Sequence, residues 1–214
     1  MFCPKLLVSI LFIFNLPLQA HAGDAETPPD SYTLSFFLNT SKDLLSMTHG
    51  NTVPLASFPE GIPTLAGTPI ANMLAFTGII REKSGTIIGI ASELEEFPIN
   101  VPEGTPLIWD TLWTVMLQGR GSLYLYQQET MIEEDVKIFS GAIQSGQTWT
   151  GNKTHATTYG PLPSGYGIIK GGTGEFEGAT GTFQEIITLQ KFTPEGHLGA
   201  LIELRLNLNV EKAE

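Results

Sequence analysis

The chain is poor in cysteine and in positive charge. Its 214 residues hold one cysteine, Cys3, and 11 lysines and arginines against 22 acids. One cysteine excludes a disulfide framework, an iron–sulfur cluster and a thiolate zinc site. The shortage of bases excludes a nucleic-acid binder, which needs a basic face to displace counterions from phosphates. No run of about 20 apolar residues is present, so no segment is built to span a membrane as a helix. Charged residues are only 15% and hydrophobic ones 42%, which excludes a disordered chain. What is abundant is turn-forming: 23 glycines and 14 prolines.

The first 22 residues read as a secretory signal peptide. Lys5 supplies the positive start, Leu6 to Leu18 the apolar core, and Ala20-His21-Ala22 the small-residue cleavage site. Cleavage removes Lys5 and Cys3. It leaves 192 residues with 10 bases, 22 acids and a charge of −12. The expected product is exported and has no cysteine. Residues 23–31, with Pro28-Pro29, form a polar leader, 32–210 the domain, and 211–214 a tail.

The domain reads as strands and turns. Tyr32, Leu34, Phe36 and Leu38 alternate at period two through Asn39, the mark of a half-buried strand. Residues 50–69, punctuated by Pro54, Pro59, Pro63 and Pro69, form a loop. Further strands are expected over Ala71–Arg81, Thr86–Leu94, Leu107–Gln118, Ser122–Met131 and Val136–Ser145. Residues 146–165 read as a polar loop and Tyr166–Ile169 as a short strand. Thr182–Phe192 and Leu198–Val210 close the chain. In the last, Ala200, Ile202, Leu204, Leu206, Leu208 and Val210 make one apolar face. No stretch has a helical period, and short strands with regular turns imply an antiparallel sandwich or barrel.

Motifs for known chemistry are few. His49, His155 and His197 are far apart and in loop-like segments, so no metal site is expected. There is no G-x-S-x-G elbow and no phosphate-binding loop. Two constellations remain. Glu93, Glu95 and Glu96 end an apolar strand before a proline loop. A carboxyl there, beside an apolar cavity, would hold its proton more tightly and serve as acid or base. Trp109 and Trp113 share one strand face, and Tyr124 and Tyr126 share another. Such aromatics suit the walls of a site for a flat apolar ligand, or an ordinary barrel core.

The stretch Gly171-Gly-Thr-Gly-Glu-Phe-Glu-Gly-Ala-Thr-Gly181 is a glycine hairpin with Phe176 placed to plug a core. It resembles the G-G-T-G-x-F-x-x-A-x-G signature of the allene oxide cyclase and dirigent barrel superfamily. Gly171, Gly172, Gly174, Phe176 and Gly181 carry the match. Ser84-Gly-Thr-Ile-Ile-Gly89 and Phe139-Ser-Gly-Ala-Ile143 resemble two of its strands more loosely. The resemblance implies a single eight-stranded antiparallel β-barrel with an apolar cavity, commonly a homotrimer.

It also implies a secreted protein that binds a reactive apolar small molecule. Such a protein steers cyclisation or isomerisation by shape, without a cofactor. A dirigent-type auxiliary with no bond chemistry of its own, or a lipocalin-like carrier, are the alternatives. The His-Asp pair of plant dirigents corresponds to Leu38-Asn39, and their G-R-A-Q-G segment to Gly89-Ile-Ala-Ser-Glu93. Their aspartate and arginine chemistry therefore does not transfer. The candidate residues are Glu93 and Glu95 as acid or base, and Asn39, Trp109, Trp113, Tyr124 and Tyr126 around the ligand. Asn39 also lies in the sequon Asn39-Thr-Ser41, as Asn152 does in Asn152-Lys-Thr154.

Overall fold

The computed structural model describes residues 30–50 and 64–210. The expected signal peptide, most of the leader, residues 51–63 of the proline loop and the tail lie outside them. Among the described residues are eleven strands: β1 Asp30–Asn39, β2 Leu44–His49, β3 Met73–Arg81, β4 Ile87–Glu96, β5 Ile108–Leu117, β6 Gly121–Thr130, β7 Trp149–Ala156, β8 Thr158–Gly160, β9 Gly167–Gly172, β10 Thr180–Phe192 and β11 Leu198–Val210. The α-helix among the described residues, α1, spans Glu133–Ser145. No described helix is long and apolar enough to cross a membrane.

Eight strands close into an antiparallel barrel, in the order β1, β11, β10, β9, β6, β5, β4, β3. The ring closes where Phe37 of β1 pairs with Arg81 of β3. Closure leaves the eight strands with no free edge. The three others are additions to the wall: β2 lies on β3, β7 on β10, and β8 on β6.

Period-two alternation decides what faces inward. On β3, Leu74, Phe76 and Ile80 are buried while their neighbours are half-buried. On β11, Ile202, Leu204, Leu206 and Leu208 are buried and Arg205 and Asn207 exposed, as the sequence pattern requires. Together with Phe36, Leu38, Trp113, Leu123, Leu125 and Phe183 these side chains fill the barrel. The glycine signature does as expected. Gly171, next to last in β9, has φ +135°, a short 3-10 turn spans Gly174–Phe176, and Phe176 is fully buried against the core.

Three readings of the sequence need correction. Val136–Ser145 is not a strand but most of α1. Asp135, Phe139 and Ala142 are its buried residues, a spacing of four and three that makes one helical stripe. Glu133, Glu134 and Asp135 suit its positive N-terminal end, and Gly146 at φ 65° terminates it. The resemblance of Phe139–Ile143 to a family strand therefore fails. Val136 and Ile138 gave the segment a strand-like composition that tertiary packing overrides.

Residues 146–165 are not a plain loop: they contain β7 and β8. β7 pairs edge to edge with residues 186–192 of β10, beyond the reach of β9, and shows no apolar alternation. Its half-buried residues are Trp149, Lys153 and His155. Lys153 meets Glu134 at 2.5 Å and His155 meets Asp135 at 2.7 Å, fastening α1 to this strand. Phe139 and Phe192 pack at 4.3 Å in a second, smaller core beneath the helix. β2 was absent from the expected strands, and it places His49 in a strand.

Gly181 is the tightest of the signature glycines. Its φ is +135°, and a Cβ there would stand 2.0 Å from the Asn207 carbonyl oxygen. Gly181→Ala is expected to lower stability by ~3 kcal/mol or more. Gly178→Ala, at φ +72° with open space around it, should lower it by only ~1 kcal/mol. Thermal melts of the two variants check the contrast.

Candidate functional site

The inward faces of β4, β5, β6 and β10 begin as ordinary core and then turn polar. On β4 the buried Ala91 is followed two residues on by Glu93 and then by half-buried Glu95. On β6, Leu123 and Leu125 are followed by Gln127 and Glu129, both buried. On β10, Phe183 is followed by buried Glu185. Period two therefore carries a polar group inside wherever the apolar series stops early. The ladders align these groups: Glu93 pairs with Trp113, Glu95 with Thr111, Thr111 with Gln127, and Trp109 with Glu129.

Four carboxyl groups thus meet inside the barrel wall. Oxygens of Glu93, Glu95 and Glu129 lie within 4.8 Å of one another. Gln127 joins Glu129 to Glu185: its Nε2 donates to Glu185 Oε2 at 2.6 Å and also to Glu129 Oε1. Thr158 of β8 fixes that amide, since its hydroxyl donates to Gln127 Oε1 at 2.6 Å and accepts the Glu185 backbone N–H at 2.7 Å. The Trp113 indole N–H donates to Glu185 Oε2 at 3.0 Å. Glu93 Oε1, Trp109 Nε1 and Thr111 Oγ1 are buried and have no well-formed hydrogen bond among the described residues.

None of the four carboxyls forms an ion pair with a described residue. The ion pairs engage Asp43, Glu133, Glu134, Asp135, Glu175 and Glu203 instead. Burial, and then mutual repulsion, therefore hold the protons on. Burial pushes Glu95 up to about 8, with the Glu185 charge adding to it. Glu129 also rises to about 8, through burial and then the Glu95 charge. Glu93 and Glu185 lie well above the ordinary carboxylate range, burial again being the larger cause. Carboxyls this close cannot all ionise, so the cluster holds exchangeable protons near neutral pH.

Aromatic rings border the acids. Trp113 meets Phe76 edge-on at 5.4 Å, and Trp109 stacks on Phe97 at 5.0 Å. The side chain of Asn72 donates to the Phe97 carbonyl at 2.7 Å and pins that end of β4.

Of the candidate residues read from the sequence, Glu93, Glu95, Trp109 and Trp113 come together. The others do not. Tyr124 is exposed and Tyr126 is half-buried on the outer face, where its hydroxyl donates to Asp110 at 2.6 Å and Lys170 lies over its ring. The reason is parity: Leu123 and Leu125 take the inward positions, and both faces of β6 look apolar in sequence. Asn39 lies in the wall at the end of β1, where its Oδ1 accepts the Ser41 N–H at 3.1 Å. It shapes a turn and takes no part in the cluster network. Glu96 is exposed.

Gln127, Glu129, Glu185, Thr111 and Thr158 were not anticipated. The signal that finds the two acids is present in the sequence: each is a carboxylate in phase with the apolar face of its own strand.

Each clustered carboxyl holds its proton more tightly folded than unfolded. Their stabilising contribution is complete below about 4.5 and is lost as pH rises to about 8. The melting temperature is expected to fall across that interval. Glu129→Gln should raise it at pH 8 by ~5 °C and flatten the slope. Calorimetry from pH 4 to about 9 measures both.

No family model matches the chain, and no curated protein matches it in sequence. Some solved structures are similar to it at low identity. A pyocyanin demethylase covers 83% of this chain and all of its own, at 15% identity and a TM-score of 0.43. A pterocarpan synthase dirigent protein covers 89% of this chain and 91% of its own, at 13% identity and a TM-score of 0.46. An enzyme described as an exo-specific intermolecular Diels-Alderase covers 82% of this chain and 98% of its own, at 9% identity and a TM-score of 0.37.

Proposed function

We propose that the protein is an exported barrel that binds an apolar small molecule. Proton transfer from its buried carboxyls then steers cyclisation or isomerisation of that molecule. The observation that carries this reading is the cluster of buried Glu93, Glu129 and Glu185 with half-buried Glu95, beside Trp109 and Trp113 and without an ion-pair partner among the described residues. A protonated carboxyl in an apolar surround is a general acid matched to neutral pH. Its ionised neighbour is the base that returns the proton. Glu95, only half-buried, connects the set to solvent. Gln127 holds Glu129 and Glu185 in fixed positions, so that donor and acceptor need not reorganise during the reaction. No step of this proton shuttle calls for a cofactor.

Two further parts belong to the reading. Residues 1–22 direct export. The protein then assembles as a homotrimer through the outer face of β4, β5 and β6, where Ile90, Leu94, Leu112, Met116 and Tyr124 are exposed. Ile90 lies opposite Met116 and Leu94 opposite Leu112, so the side chains form a continuous apolar surface.

Native mass spectrometry of the full mature chain tests both. It should show three copies, each carrying a noncovalent mass of small-molecule size. Leu112→Lys should give monomers with unchanged thermal stability. Glu93→Gln should retain the bound mass but abolish its conversion, read as loss of the product mass on incubation. Unchanged conversion in Glu93→Gln and in Glu95→Gln would remove the acid–base role and leave a carrier or a dirigent-type auxiliary.

A further inference from the structure

We infer that Thr158 is a positioning residue, whose hydroxyl sets the direction of the Gln127 amide and so fixes which oxygens of Glu129 and Glu185 stay free of a proton. This role belongs to the free protein, so it goes beyond the proposed reaction and does not depend on it.

The backbone puts Thr158 in place. β8 pairs with β6 so that Thr158 stands opposite Glu129. Its neighbour Thr157 bridges two strands. The Thr157 N–H donates to the Glu185 carbonyl at 3.0 Å, and the Thr157 carbonyl accepts the Thr130 N–H at 3.1 Å. The start of β8 is thus held between β6 and β10, with Thr158 buried there.

The direction of the network follows from one group that cannot reverse. The backbone N–H of Glu185 can only donate, and it donates to Thr158 Oγ1 at 2.7 Å. The Thr158 hydroxyl has one hydrogen, which goes to Gln127 Oε1 at 2.6 Å. With its oxygen so engaged, the Gln127 amide directs its hydrogens the other way, to Glu185 Oε2 at 2.6 Å and to Glu129 Oε1. The Trp113 indole N–H, also only a donor, reaches Glu185 Oε2 at 3.0 Å.

Two donors occupy both lone pairs of Glu185 Oε2, which leaves no position there for a proton. Glu129 Oε1 faces the same amide, and a carboxyl accepts best through its unprotonated oxygen. A proton on either residue therefore sits on the other oxygen, Glu185 Oε1 or Glu129 Oε2. Glu93 and Glu95 receive no bond from Gln127 or Trp113. The amide thus makes one side of the cluster the acceptor side and leaves the β4 side to carry the exchangeable protons.

The groups that face Glu129 and Glu185 are few. β4 brings Glu93 and Glu95, β5 brings Trp109, Thr111 and Trp113, and β8 brings Thr158. Only the two glutamates among these can be charged. Burial and the Glu129 charge hold Glu185 up, and the bonds from Gln127 and Trp113 pull against them. Without the Thr158 hydroxyl the amide is free to turn, and the two acids then hold their protons more tightly.

Isotope-edited NMR of the glutamate carboxyl carbons tests this on the mature protein without ligand, with Glu129→Gln and Glu185→Gln assigning the two signals. Thr158→Val should raise the pH at which Glu129 and Glu185 titrate by about one unit, a tenfold tighter hold on the proton. Thr158→Ser keeps the hydroxyl and should leave that pH within about 0.3 unit. Gln127→Met should give the same rise as Thr158→Val. Adding Thr158→Val to it should raise the value no further, because the hydroxyl acts through the amide. Where Thr158→Val does not fold, Thr158→Ala takes its place.

Unchanged titration in the variant without the hydroxyl overturns the inference. So does an equal rise in Thr158→Ser, which would trace the effect to packing. A further rise in the double variant also overturns it, because Thr158 would then act without Gln127. Conversion unaffected by Glu93→Gln, with the expected shift in Thr158→Val, ends the acid–base reading and leaves this one. The opposite pair of results does the reverse.

Discussion

Carboxyl groups buried without counter-charges are the constraint that organises this molecule. Desolvation of an ionised carboxylate is severe, and four together would be prohibitive. The barrel meets that demand with protons and with a small number of donors. Gln127 spans Glu129 and Glu185, the Trp113 indole supports Glu185, and Thr158 fixes the amide of Gln127. Thr158 belongs to β8, a three-residue strand outside the ring. A minor addition to the wall thus sets the orientation of a group at the centre.

The rest of the fold isolates that cluster. Core residues at other levels of the barrel are apolar: Ile80, Leu117, Leu123, Leu208 and the plug Phe176. The glycine signature makes the plug possible. A Cβ on Gly172 would stand 2.6 Å from that of Phe176, so only glycine lets the ring seat. On the outside, Lys153 of β7 pairs with Glu134 and Asp135 of α1, and charge there is paired in the ordinary way. Paired charge on the exterior and unpaired acid within is an arrangement that serves chemistry better than stability.

Legibility from sequence followed the cleanness of the period. β11, with leucines on one side and polar residues on the other, was readable residue by residue. β3, β5 and β10 were close to their observed bounds. The segment that became α1 misled because its stripe of Asp135, Phe139 and Ala142 is short and its Val136 and Ile138 favour strands. β7 was unreadable because it extends the sheet beside β10 and its half-buried residues, Trp149, Lys153 and His155, are not an apolar series. Within the site, Glu93 with Trp109 and Trp113 could be chosen, since they end or interrupt apolar strands. Tyr124 and Tyr126 could not be oriented, because both faces of β6 are apolar.

By itself the sequence determined the strand-and-turn architecture, the glycine hairpin with its buried phenylalanine, and the apolar face of the last strand. These are local matters: period, turn chemistry and the absence of a Cβ. Only the tertiary structure decided that Glu93, Glu95, Glu129 and Glu185 share one volume. They lie up to 92 positions apart in the chain, and barrel closure alone brings β4, β5, β6 and β10 to face one another. Whether a carboxyl holds or releases its proton depends on what surrounds it. Four strands of wall are needed to provide those surroundings, and no single segment carries them.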